Sequence, residues 1–77
     1  MATHTDLTME AIKGYQGESG NPYLYSSPAW YAYQLGAYLQ RTGRTLPRDV
    51  RMGRGYQVHA NDCLWAFDGK DQITRVR

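Results

Sequence analysis

One cysteine, Cys63, stands in a chain of 77 residues. It excludes an internal disulfide and a zinc site built from several cysteines. The two histidines, His4 and His59, lie near opposite ends, so a convergent set of metal ligands is not expected, and no cofactor is implied. No stretch approaches the ~18 consecutive apolar residues of a membrane-spanning helix. The opening residues Met1 to Asp6 carry neither a basic nor an apolar leader segment, and no secretory leader is expected. There is no internal repeat and no low-complexity tract. Together these absences argue against a disulfide scaffold, a membrane protein and a multidomain enzyme.

What is present suffices for one small domain. Apolar residues make up 42% of the chain, enough for a core and too many for general disorder. A domain of this size buries about 60% of the surface its unfolded chain exposes. The net charge is +2, but it is unevenly spread. Residues 1–40 carry Lys13 against Asp6, Glu10 and Glu18, a net of −2, whereas residues 41–77 carry seven arginines and Lys70 against four aspartates, a net of +4. Six of the seven tyrosines fall between Tyr15 and Tyr38. The first half is therefore aromatic and slightly acidic, and the second half is basic.

Helical periodicity comes first. Thr5 or Asp6 can cap a helix over 6–16, with Leu7, Ala11 and Tyr15 on one face and Met9 and Ile12 widening the stripe. Gly14, Gly17 and Gly20 are expected to end it, and residues 17–27 to form a loop in which Pro22 keeps Asn21 extended. Ser27 followed by Pro28 is a strong start signal for a second helix over 28–42, and Gly43 suits its C-terminal stop. Ala29, Ala32 and Gly36 form a small-residue stripe, which predicts close antiparallel pairing of the two helices.

Residues 43–55 contain Pro47, Gly53 and Gly55 and read as an irregular basic connector. The period then changes to two. Strands are expected over 56–60, 63–67 and 72–77, with Asn61-Asp62 as a two-residue turn and residues 68–71 as a second turn. The expected architecture is α+β: an N-terminal antiparallel helical hairpin on a C-terminal three-stranded antiparallel meander.

Two groups of side chains suggest binding chemistry. Arg41, Arg44, Arg48, Arg51 and Arg54 recur every three or four residues, and guanidinium groups grip phosphate or carboxylate bidentately. Tyr23, Tyr25, Trp30, Tyr31, Tyr33 and Tyr38 are too many for so small a core, so two or three are expected at the surface, where Tyr, Trp and Arg are enriched at binding hot spots. The expected partner-contacting residues are Tyr23, Tyr25, Tyr31 and Tyr38 with the five arginines. Their plainer reading is a solvated loop and tyrosines capping a thin core. His59 and Cys63 flank the Asn61-Asp62 turn, but a hairpin tip offers no enclosed space for thiol catalysis, and Cys63 reads as a small apolar packing residue.

The run from Gly14 through Gly17, Asn21, Pro22 and Tyr23, with Trp30 and Gly36 beyond it, resembles the ribosome modulation factor-like group of small bacterial and phage-encoded helical hairpins. The resemblance covers about residues 10–42. It implies a ribosome-associated binder, with those seven positions mainly architectural; segment 56–77 has no counterpart in the hairpin. The expectation from residues and resemblance together is a non-enzymatic, phage- or prophage-type protein of the host-takeover or anti-CRISPR kind. It would act stoichiometrically on a host protein or complex in the bacterial cytoplasm, with ribosome or RNA binding as the alternative. A homodimer is the third arrangement that exposed aromatics would serve.

Overall fold

Ser27 and Pro28 begin the long helix as their chemistry dictates. The Ser27 hydroxyl accepts from the Trp30 amide at 3.1 Å, and Pro28 occupies the first turn, where an amide proton would have no intrahelical partner. Ser27→Ala is expected to cost about 1 kcal/mol, read as a lower thermal midpoint with the fold retained. The computed structural model describes residues 6–17, 20–53, 55–68 and 72–77. Its elements are α1 (Thr8–Tyr15), α2 (Pro28–Arg41), β1 (Arg51–Met52), β2 (Gln57–Ala60), β3 (Cys63–Phe67) and β4 (Ile73–Arg75). Together they form an α+β fold, with the helices on one face of an antiparallel sheet ordered β1-β2-β3-β4. No helix among the described residues is long and apolar enough to cross a membrane.

The sheet has four strands rather than the expected three. The additional strand lies inside the segment read as an irregular connector. It is two residues long and has no periodicity of its own. Pairing with β2 creates it, Arg51 opposite His59 and Met52 opposite Val58. Val50, just before it, is fully buried; its carbonyl accepts from the Leu7 amide and its amide donates to the Thr8 hydroxyl, so the connector is tied to the start of α1.

The two helices run antiparallel and touch backbone to backbone. A Cβ on Gly36 would collide with the Ala11 carbonyl, and one on Gly14 with the Tyr33 carbonyl. Gly14 therefore lies within α1 and sets the crossing; it does not terminate the helix, which ends after Tyr15 with Gly17 at positive φ. The start of α1 also differs in detail. Asp6 closes a local turn, its carboxylate accepting from both the amide and the hydroxyl of Thr8, and the hydroxyl bond above all holds that carboxyl below its ordinary range. Thr5 lies outside the described residues. Met9, placed by periodicity on the buried stripe, is exposed instead.

The loop between the helices is locked by Asn21. Its amide donates to the Trp30 carbonyl and to Gln34 Oε1, both at 3.0 Å, and its carbonyl accepts from the Tyr23 amide. On the sheet, Val58, Ala60, Trp65, Phe67 and Ile73 face α2 and join Leu35, Leu39 and Ala11 in one core. Asn61 and Asp62 form the expected two-residue turn between β2 and β3, both at positive φ. Past β4 the ladder ends in a bulge. The amides of Val76 and Arg77 both reach the Leu64 carbonyl, at 2.6 and 3.4 Å, while Leu64 donates to Arg77.

Candidate functional site

The C-terminal end of α2 builds a basic and aromatic corner. Gly43, at φ +74°, donates to the Gln40 carbonyl, and Arg44 donates to the Leu39 carbonyl at 2.8 Å. These two bonds are the helix stop that a left-handed glycine permits, and they fix the backbone of Arg44. Tyr15 adds a third restraint, its hydroxyl donating to the Arg44 carbonyl at 2.7 Å. So held, the Arg44 guanidinium lies 5.8 Å from the Tyr38 ring centre and 5.7 Å from that of Trp65. Arg41 lies over the same Tyr38 ring at 5.8 Å. Both are within range of cation–π attraction.

Trp65 anchors the corner from the sheet side. It is 3% exposed, its indole N–H donates to the Ala60 carbonyl at 3.1 Å, and Tyr38 meets its ring edge-on. Strand register sets Arg75 directly opposite Trp65. Between Arg44 and Arg75 lies a cleft of about 300 Å³, floored by Leu39, Cys63 and Trp65 and edged by Thr45 and Asn61. Asn61 straps the neighbouring segment to the hairpin tip: its side chain accepts from the Arg48 amide at 2.7 Å, and its own amide donates to the Arg48 carbonyl.

The expected contact residues divide among separate places. Tyr38, Arg41 and Arg44 come together at this corner. Arg48 sits at the hairpin tip, paired with Asp62 at 3.8 Å, an exposed contact that contributes at most about 1 kcal/mol. Arg51 is on the opposite face of the sheet, beside His59. Arg54 lies outside the described residues. The arginine series is therefore not one stripe, because pairing of β1 with β2 turns the chain away after Pro47.

Tyr25 lies at the far end of α2, exposed beside Leu24 and stacked edge-on against Trp30. Tyr23 is half-buried and meets Tyr33 edge-on. Tyr31, expected at the surface, is buried at 8% exposure, held edge-on to Trp30 and Phe67 and tilted against Tyr56. Tyr56 takes the exposed position instead. Trp65 and Arg75 were not among the expected contacts. Packing of β3 against α2 brings in Trp65, and the β3–β4 register, which depends on the length of the second turn, brings in Arg75.

The uncovered face of the sheet holds a wider trough of about 760 Å³, in which Arg51, His59 and Arg77 surround Leu64 and Asp6, Asp49 and Asp62 form a rim. His59 and Cys63 point to opposite faces, because His59 pairs with Leu64 and Ala60 with Cys63. Among the described residues, no three His, Cys, Asp or Glu side chains are grouped to hold a metal ion. Cys63 packs against the core beside Ala60. Compared with protein-family models, curated proteins and solved structures, the chain matches none of them.

Proposed function

We propose that this chain is a non-enzymatic binding protein of the phage or prophage inhibitor type, which covers a surface of a host protein or complex in stoichiometric amounts. The observation that carries the reading is the corner at the end of α2. Arg41, Arg44 and Arg75 are exposed around Tyr38 and Trp65, and none of the three has an acidic partner among the described residues. Folding alone does not call for three exposed cations at one place with no acidic partner among the described residues. Arginine and aromatic residues recur at binding hot spots, and a guanidinium already held against a ring loses less freedom on binding. The exposed Leu24, Tyr25 and Tyr56 at the other end of α2 offer a second, apolar contact region.

Affinity capture from a bacterial lysate tests this, with the wild-type chain beside Arg41→Glu/Arg44→Glu. The expected result is one dominant host protein or complex retained by the wild type and lost by the variant. Equal recovery by both proteins, or nothing retained by the wild type from its native host, would remove the reading.

Ribosome association is the second reading. The glycine crossing of α1 and α2 and the loop locked by Asn21 support the hairpin that the family resemblance implies. It predicts cosedimentation with small ribosomal subunits or whole ribosomes, falling steeply as salt rises. Absence of cosedimentation at low salt would exclude it.

A further inference from the structure

We propose that the cleft between Arg44 and Arg75 receives one side-chain carboxylate from an acidic protein partner. The inference deepens the binding reading above and rests on it for biological meaning, although the cleft itself is testable without that partner. Both walls are cationic, and none of the described lining residues is acidic. The floor of Leu39, Cys63 and Trp65 is apolar, so it suits the aliphatic stem of a glutamate, while the forked N–H donors of two guanidiniums suit its head. Thr45 and Asn61 at the edge are tied to each other, the Asn61 side-chain amide donating to the Thr45 carbonyl and hydroxyl at 3.4 Å, so the cations are left to meet the ligand. The Arg44 backbone is held through its own N–H and C=O, and its guanidinium lies over two rings.

The placement of charge favours an isolated carboxylate over a nucleic-acid backbone. A nucleic-acid strand repeats its phosphates, one about every 3.4 Å of helix axis in a duplex, and a run of cations is needed to follow them. Here the positive charge forms a compact group instead. Arg48 on the turn side has the exposed Asp62 carboxylate 3.8 Å away, which would repel a phosphate there, and Arg51 faces the other side of the sheet. The cleft, at about 300 Å³, is also the smaller of the two and carries only cations among its described charged residues, whereas the wider trough on the uncovered sheet face mixes both signs of charge and selects neither.

The test is an NMR titration of the full chain at fixed ionic strength with three probes: a capped tetraglutamate peptide, a capped tetraglutamine peptide and single-stranded hexauridylate. Tetraglutamate is expected to shift the Trp65 indole N–H and the Arg44 and Arg75 Nε–H resonances, and tetraglutamine to leave them unmoved. Arg44→Gln and Arg75→Gln should each weaken the peptide about tenfold, the scale for loss of a charge-assisted hydrogen bond. Binding should fade as pH falls through the glutamate range near about 4.3. Both variants alter exposed side chains, and retained spectral dispersion shows that they fold. The proposal is overturned by no shift up to about 5 mM peptide, by equal response to tetraglutamine, or by unchanged binding in both variants. Hexauridylate moving the same resonances at lower concentration would also overturn it, by assigning the cleft to phosphate. A negative titration alongside a captured host partner removes the carboxylate site alone; a positive titration with no captured partner removes the host-binding reading and leaves the site.

Discussion

Gly36→Ala is expected to lower stability by about 3 kcal/mol or more, the upper range for overpacking a site that cannot relax. The new methyl would overlap the Ala11 carbonyl, with its carbon 2.8 Å away and the Tyr15 amide nitrogen 2.9 Å away. All of these are backbone atoms, so no side-chain rotation relieves the clash. Alanine would gain about 1 kcal/mol of helix propensity over glycine, which is too little to offset it. The helices must separate, and separation uncovers Leu7, Ala11 and Leu35 together. For a domain of this size a loss of about 3 kcal/mol lowers the thermal midpoint by roughly 12–24 °C. Gly17→Ala is the control, since that residue has φ +75° and nothing within 4 Å of the added methyl. It should cost about 1 kcal/mol through backbone conformation alone. Thermal melts of the two variants decide the matter; matching midpoints would sink the close helix crossing.

Trp65→Ala is expected to cost about 3–5 kcal/mol, as for other large aromatic side chains removed from a core. At about 0.05–0.15 kcal/mol per residue the whole domain has a margin of roughly 4–12 kcal/mol, so this loss removes a large share of it. The substitution would leave the Ala60 carbonyl without its indole donor and remove the edge-on partner of Tyr38. Trp65→Phe keeps a ring and should lose less. Urea midpoints of the two variants give the comparison. A midpoint for Trp65→Ala within error of the wild type would contradict the burial of that ring. The same residue joins fold to site, because Arg44 rests partly on it. Trp65→Phe is therefore expected to fold while weakening any ligand held by Arg44.

Local chemistry made parts of this molecule readable in advance. Ser27-Pro28 and Gly43 mark α2 because capping and positive φ are decided within a few residues. Asn61-Asp62 marks its hairpin because a type I′ two-residue turn takes left-handed backbone at both positions, which Asn and Asp tolerate. Long-range contacts made the rest illegible. Nothing near Arg51 and Met52 announces a strand; β2 supplies it. Gly14 carries the same local signal whether it ends a helix or lies beneath another backbone. Tyr31 is polar enough for the surface, and burial follows from where Phe67 of the sheet meets α2. At the candidate site, Arg41, Arg44 and Tyr38 were each expected as contacts, but in two separate groups, an arginine series and an aromatic set. Trp65 and Arg75 were not: packing of β3 against α2 brings in Trp65, and a second turn one residue shorter would set Arg75 on the other face. The five-residue connection from Phe67 to Ile73 decides that.

The bulge after β4 constrains how this protein can meet another copy of itself. Fibril growth and edge-to-edge templating need a straight row of free amides and carbonyls. On one flank Val76 and Arg77 crowd onto a single carbonyl and break the spacing of that row; on the other, β1 offers two residues. Neither flank presents a long template for strand addition. A sheet bounded in this way resists runaway polymerisation and leaves recognition to its side chains.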